Sequence, residues 1–164
     1  MKRVVFIISF ILFIVSFSYA QTYPIQATAT VLSPLNVTSS NLVFGDVLRG
    51  VNKSIIPGDA SSGKWVITGV SGKQVQFSIA TPSDLSNTTS NYLLYSYSST
   101  DCKWSTDVSG TPGTNFSPST STTASLSSGG MLYIFVGGTL KPTSSQAPGA
   151  YTGDVVLTIQ YTGN

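Results

Sequence analysis

The clearest alternation of apolar and polar side chains lies near the end of the printed sequence, over residues 152–161. A period of two is the mark of a β-strand that buries one face. At about 3.3 Å per residue, these ten residues would span roughly 33 Å. The pattern therefore predicts a long strand that organises a sheet, with these side chains on its buried face: Tyr151, Val155, Leu157, Ile159 and Tyr161.

Further alternating or short apolar segments predict more strands, separated by turns rich in Gly, Pro and Asn. They lie at residues 25–31, 35–37, 42–47, 53–56, 64–68, 74–80, 92–97 and 131–136, with a continuation at 139–140. Gly69 and Gly72 separate two of these segments and can adopt the positive φ of a tight turn, so we predict a hairpin of 64–68 with 74–80. No helical period appears after residue 20, and the spacing of the strands is typical of an all-β sandwich or barrel.

Residues 105–130 differ in composition, because Ser, Thr, Gly, Pro and Asn dominate there. A structureless loop of this length is uncommon in a compact domain. We interpret the stretch as a long loop or a surface hairpin, with some strand character around residues 124–126.

The first twenty residues have the organisation of a cleaved secretory signal peptide. Lys2 and Arg3 precede an apolar run over residues 4–15, and Ser18 and Ala20 supply small residues before a cut after Ala20. A membrane anchor needs about 20 apolar residues, and this run is shorter. We therefore expect a signal peptide at residues 1–20, a single β-sandwich domain at 21–164, no trailing anchor, and no membrane span after cleavage.

Charge and composition narrow the range of functions for the remaining chain. Residues 21–164 hold six basic side chains and six acidic ones, all aspartate, and no histidine or glutamate. A nucleic-acid surface needs clustered Lys and Arg, which this chain lacks. Without histidine, the commonest general base and the Ser-His and Cys-His pairs are missing. We therefore predict a protein that is not an enzyme, with no catalytic residues, cofactor or metal, and a near-neutral surface that favours association.

Three motifs invite a chemical interpretation and lack what that chemistry needs. Residues 58–64 fit the start of a phosphate-binding loop, but Trp65 stands where Ser or Thr would hold magnesium, and a strand follows instead of a helix. Ser61 and Lys64 fit a Ser-x-x-Lys motif without its companion motifs. Asp101 and Asp107 lack the spacing of a calcium loop. We interpret the first two as turn residues.

The single cysteine and the aromatic side chains each allow two interpretations. Cys102 could be a reactive thiol or could bridge two chains, and the favoured alternative is a small semi-buried hydrophobe near Trp104. Tyr92, Tyr95 and Tyr97 with Trp104 could form a glycan-stacking surface, although tyrosines on strands more often pack in a core with the hydroxyl at its edge.

Four short motifs, in order, resemble a bacterial family known as a domain of unknown function, DUF4402. They are ATATVLSPL from Ala27, LVFGDV from Leu42, VGGTL from Val136 and GAYTG from Gly149, followed by the final alternating segment. The layout is also similar to spore-coat-U-type and archaic chaperone–usher pilins, which end in a comparable Gly-x-Tyr strand, although this chain lacks their cysteine pair. The resemblance implies an immunoglobulin-like or pilin-like antiparallel β-sandwich, and a final strand that pairs with a strand near the start of the mature chain. It further implies export in a Gram-negative bacterium, to the periplasm, outer surface or medium.

The function expected from these observations is that of an exported structural subunit, pilin-like or adhesin-like, at the cell surface. Its partners would be further copies of itself or other surface or pilus subunits. In a finer version, residues 25–31 complete the sheet of a neighbouring subunit. The alternative left open is that this segment closes its own sandwich. A different class of function is a secreted carbohydrate-binding module whose partners are glycans.

Overall fold

The computed structural model describes residues 26, 28–107 and 109–163, and in these residues the chain forms twelve strands and no helix. The strands are β1 (Asn36–Ser40), β2 (Lys53–Ile55), β3 (Gly63–Thr68), β4 (Gln74–Ala80), β5 (Asp84–Ser86), β6 (Tyr92–Ser96), β7 (Cys102–Ser105), β8 (Thr114–Asn115), β9 (Thr122–Ser125), β10 (Met131–Val136), β11 (Gly138–Lys141) and β12 (Val156–Tyr161). Over the same residues, no helix has the length and apolar character needed to cross a membrane.

The chain divides into two units, Met1–Val31 and Leu32–Asn164. The predicted signal peptide lies outside the described residues. Of the predicted strand at 25–31, residues 26 and 28–31 are described, and they are exposed and in no strand. For these residues the strand prediction is wrong, because a strand needs a neighbour to supply its ladder hydrogen bonds and no described strand pairs with them.

The second unit is built from three antiparallel sheets, which confirms the predicted all-β antiparallel sandwich. One sheet has the order β1-β3-β10-β7-β8, the second β2-β11-β6-β5 and the third β12-β4-β9. The first and third sheets face each other, because their alternate side chains form one buried cluster. That cluster includes Ile67, Leu132 and Ile134 from the first sheet and Val75, Phe77 and Ile79 from the third. A second cluster, around Leu93, Tyr95 and Leu140, lies on the second sheet.

The predicted hairpin of β3 with β4 is wrong, although both strands form. β3 pairs with β1 and β10, whereas β4 pairs with β12 and β9. The connection between them carries the chain from one sheet to the other, and it is fixed there by the Gly69 amide, which donates to the Gly130 carbonyl at 2.9 Å. Two adjacent alternating segments with a glycine turn predict a hairpin equally well whether they share a sheet or face each other across a core.

Residues 105–130 are neither a structureless loop nor one hairpin, because the stretch contributes β8, β9 and part of the core. Phe116 lies edge-to-face against Phe77, with ring centroids 5.2 Å apart, and the Ile79 amide donates to the Pro118 carbonyl at 3.1 Å. β9 overlaps the strand character expected around residues 124–126. The short strands β5, β7 and β8 were not predicted, since strands of two to four residues are too short to show a period.

β10 and β11 are consecutive in the chain and belong to different sheets, and the chain crosses between the sheets at Gly137 and Gly138. The Gly137 carbonyl accepts a hydrogen bond of 2.6 Å from the Tyr95 hydroxyl. Gly138 has a φ of +146°, and a Cβ there would lie 2.5 Å from the Tyr95 ring. Glycine is needed at this crossing because any side chain would be strained and would collide with the ring.

The final strand has the predicted buried face but not the predicted length or position. β12 covers six residues, preceded by an isolated bridge from Thr152 to Ser86. Leu157, Ile159 and Tyr161 are half-buried, and the alternate positions are exposed. β12 pairs with β4, not with a strand near the start of the mature chain, and it lies at the edge of its sheet rather than at its centre.

Candidate functional site

Two strands at sheet edges delimit an opening in the sandwich. In the part of the chain that the structure describes, β12 pairs only with β4, and β1 pairs only with β3. The outer edge of each strand therefore presents backbone N–H and C=O groups without a ladder partner. Such an edge is a template for another strand.

The two edges run beside each other in opposite directions. At one end, Leu35 and Tyr161 both lie against Gly69. At the other end, Ser39 and Ser40 of β1 line the same cleft as Val155, which directly precedes β12. Because β1 runs away from Leu35 and β12 runs toward Tyr161, a strand inserted between them would be parallel to one edge and antiparallel to the other.

Beyond the ends of β1 and β12, the opening widens into a cleft of about 980 Å³. Residues 42–47 form one wall and residues 149–155 the other, and Trp65, Leu93 and Leu140 contribute to its apolar lining. The side chains along both walls are partly buried rather than covered. They are Leu42, Phe44, Val47, Tyr151 and Val155. The cleft thus combines apolar side chains with unpaired backbone edges.

The wall at residues 42–47 was predicted to be a strand, and that prediction is wrong. Its side chains do alternate, since Leu42 and Phe44 are half-buried whereas Val43 is exposed. Among the described residues, a single backbone-to-backbone hydrogen bond joins it to another segment, from the Val43 amide to the Ser61 carbonyl at 2.9 Å. Gly45, at a φ of +63°, also interrupts the extended chain. The segment has the side-chain pattern of a strand but lacks the ladder of backbone hydrogen bonds along a neighbouring strand that would make it one.

Two tyrosines hold the wall at residues 149–155 and the strand β12 that follows it in place. The Tyr161 hydroxyl accepts a hydrogen bond of 2.8 Å from the Val70 amide. The Tyr151 hydroxyl donates to the Ala147 carbonyl at 2.8 Å and accepts from the side-chain amide of Gln146 at 2.8 Å. Both rings add apolar surface beside the opening while their hydroxyl groups are hydrogen-bonded, so residues 151–161 are held at both ends.

The segment that fits a phosphate-binding loop folds as a turn. The Gly58 amide donates to the Ser62 hydroxyl at 3.1 Å, and strand β3 begins at Gly63 where a phosphate site would need a helix. The Lys64 ammonium lies 5.1 Å from the centre of the Tyr133 ring and 5.4 Å from that of Phe135. Lys64 therefore belongs to β3 and packs on the outer face of β10. The predicted turn is formed by residues 58–62, which precede the strand.

Cys102 is a fully buried member of the main core cluster, which confirms the interpretation as a hydrophobe and goes beyond the semi-buried position expected. Burial, with a smaller contribution from the Asp101 carboxylate, raises the pKa of the Cys102 thiol to about 12. A buried neutral thiol is neither a nucleophile nor available for a bridge between chains. The Asp101 carboxylate itself accepts hydrogen bonds from the amide and hydroxyl of Ser98.

Asp101 and Asp107 do not meet in a metal site. Among the described residues, no three side chains of His, Cys, Asp or Glu come together where they could hold a metal ion.

The four aromatic side chains singled out in the sequence do not form one surface. Tyr95 is 3% exposed, and Trp104 packs against the main core cluster, which confirms the packing interpretation for these two. Tyr92 and Tyr97 are exposed, at 66% and 37%. Sequence reasoning missed the cleft, although its signal was present as alternating segments on both sides, at 42–47 and 151–161.

A family model described as a domain of unknown function, DUF4402, matches residues 35–161. The match covers both walls of the cleft and all twelve strands. No curated protein matches the chain.

Proposed function

The chain belongs to the DUF4402 family of domains of unknown function, and we propose that it is a non-catalytic structural subunit of an exported surface assembly. In this proposal, each subunit accepts a β-strand from its neighbour in the opening between β1 and β12. The observation that carries the proposal is the pair of edges that no described strand pairs with, next to a cleft with half-buried apolar side chains in both walls. The setting is the envelope of a Gram-negative bacterium, which rests on the signal-peptide pattern of residues 1–20 and on the pilin-like layout of the sequence.

The strand that best fits the opening is residues 25–31 of a second copy. These residues alternate apolar and polar side chains with the same period as β12. Seven residues at about 3.3 Å each span roughly 23 Å, close to the roughly 20 Å of a six-residue strand such as β12. Residues 21–32 carry no charged side chain, so inserting residues 25–31 would bury no unpaired ionic side chain. Val31 is 95% exposed, so this apolar side chain is free to be covered.

An inserted strand would supply backbone partners for the two free edges and would also cover exposed apolar surface. The backbone of the added strand would pair with the free edges of β1 and β12, and its alternate apolar side chains would cover the half-buried residues beneath. Main-chain pairing supplies affinity, and the pockets for alternate side chains supply register.

Two substitutions on the inserted segment test the proposal without touching the core. Val31→Asp would place a charge on the inserted apolar face, whereas Thr30→Asp places the same charge on the opposite face of the segment. Both side chains are exposed in the structure. We expect Val31→Asp to abolish multimers and filaments of the exported protein, and Thr30→Asp to retain them, as seen on native gels and by immuno-electron microscopy of whole cells.

Two outcomes would sink the proposal. Undiminished assembly of the Val31→Asp variant would show that the segment is not inserted. A Val31→Asp protein that stays monomeric like the wild type but melts at a lower temperature would show that the segment closes its own sandwich.

A further inference from the structure

The outer face of the third sheet carries a different kind of surface, which the strand cleft does not use. The side chains that point away from the core on β4, β9 and β12 are all uncharged, and most are amides or hydroxyls. Across the strands, Gln76 lies beside Gln160, and Ser78 lies beside Thr158. Most globular surfaces rely on Lys, Glu, Arg and Asp, so a sheet face without them is unusual.

Few of these polar side chains form hydrogen bonds with one another. The side-chain amide of Gln160 donates to the side-chain oxygen of Gln76 over a long distance of 3.5 Å. The Thr162 hydroxyl donates to the side-chain oxygen of Gln74 at 3.2 Å. Each primary amide offers two donors and an acceptor, and each hydroxyl offers one donor with two acceptor positions. The face therefore has many donors and acceptors open to an external partner.

At one end of this face lies a hollow of about 360 Å³ beside the ring of Tyr97. Its lining includes Ser78, Thr158, Ser119 and Thr81. The Thr81 hydroxyl oxygen is buried and has no hydrogen-bond partner in the part of the chain that the structure describes. A buried hydroxyl without a partner is costly, and a bound polar group would relieve that cost.

We propose that this face, with the hollow beside Tyr97, binds a neutral polysaccharide. Sugar hydroxyls both donate and accept hydrogen bonds, as do the amides and hydroxyls of the face. The apolar C–H side of a sugar ring can pack on the exposed tyrosine ring. A charged polymer would find no opposite charge on these strands. The proposal does not depend on strand uptake, because these side chains point away from the core whereas the cleft uses the inward-facing ones.

The test is retention of the purified exported protein on neutral polysaccharides, with microcrystalline cellulose, chitin and soluble β-glucan as probes. Alginate serves as the charged comparison. We expect binding to at least one neutral probe that persists in 1 M NaCl, since screening does not weaken uncharged contacts. Tyr97→Ala should reduce the affinity roughly tenfold. Tyr92→Ala is the matched control, because it removes an exposed tyrosine at the start of β6 that does not line the hollow, whereas Tyr97 follows the end of the same strand.

Three results would overturn the proposal. They are no retention on any of the neutral probes, binding to alginate that salt abolishes, and equal losses from Tyr97→Ala and Tyr92→Ala. Melting temperatures of both variants within a few degrees of the wild type would show that any loss of binding is not a loss of fold. If Tyr97→Ala unfolds the protein, Gln160→Ala on the same exposed face replaces it, and unchanged binding of that variant would count against the proposal.

Discussion

Cys102, the first residue of β7, has no exposed surface and no disulfide partner. Its surroundings are those of an aliphatic side chain, since the main core cluster encloses it. Burial favours the neutral thiol, because a thiolate would have to be transferred into an apolar environment. Tyr95 shows the same effect, as burial also raises the pKa of its hydroxyl. Side chains that look reactive in the sequence are thus structural in the fold.

The raised pKa of Cys102 makes the free energy of unfolding depend on pH. In the unfolded chain the thiol ionises above about pH 8.5, whereas in the folded chain it stays protonated up to about pH 12. The unfolded state therefore binds fewer protons in this window, and stability falls as the pH rises. We expect the loss between pH 8 and pH 10 to be smaller in Cys102→Ala by about 2 kcal/mol.

Urea unfolding at pH 8, 9 and 10 measures this difference between wild type and variant. Parallel losses of stability in the two proteins would contradict the assignment of a buried neutral thiol. A maleimide reagent adds an independent check, since Cys102 should react only after unfolding.

At the scale of the strand, β12 combines a half-buried face with an open edge. Its inner side chains pack against the main cluster, and its outer ones, including Thr158, are exposed. Because alternate positions of one strand have opposite environments, neighbouring residues provide matched substitutions.

Ile159→Ala and Thr158→Ala should differ in their effect on stability. Fully buried Ile→Ala substitutions cost about 2–5 kcal/mol, so the half-buried Ile159 should cost roughly half of that range. Thr158→Ala should stay within about 0.5 kcal/mol of the wild type. Chemical denaturation of both variants measures the difference. Equal effects would mean that β12 does not have the faces described.

The sequence patterns predicted the elements better than their pairing. Alternation identified β4 and the inner face of β12 because each buries side chains at every second position. β10 was visible instead as a continuous apolar run, because nearly all of its side chains are buried. Alternation could not show that β3 and β4 face each other instead of pairing, since both arrangements bury the same residues. It also could not show that residues 42–47 lack a ladder, because alternation records which side chains are buried and not whether the backbone has a neighbour.

The candidate sites were predicted less well than the fold. The apolar lining of the cleft was visible in the sequence as two amphipathic segments, but the opening between them depends on which strands lie at sheet edges. The polar face around Tyr97 depends on the register of β4 with β12, which brings Gln76 beside Gln160. The register between strands so far apart in the chain depends on tertiary contacts, because no turn joins them directly.

At the scale of the whole molecule, the sandwich has one side closed and one side open. On the closed side, residues 116–118 bridge the two sheets through Phe116 and the Pro118 carbonyl. On the open side, the outer edges of β1 and β12 have no partner among the described residues, and a cleft with apolar side chains in its walls opens beyond the ends of the two strands. An exposed edge of this kind is usually blunted by charge, proline or a bulge. β12 carries no charged side chain and no proline, which fits an edge that receives a partner.

The most direct test of strand uptake is a disulfide trap between two copies of the chain. One copy carries Thr28→Cys or Thr30→Cys, and the other carries Thr158→Cys or Gln160→Cys on the outward side of β12. Facing residues on paired strands have Cα atoms about 4.5–5.5 Å apart, within the range that a disulfide spans. Cys102 is buried and does not compete.

After mixing under mild oxidation, we expect disulfide-linked heterodimers for at least one of these combinations. We expect none when the second copy instead carries Thr123→Cys on β9, at the far edge of the same sheet. Heterodimers that form equally with the β9 variant, or their absence from every β12 combination, would contradict the claim that the open edge receives a strand from a neighbouring subunit.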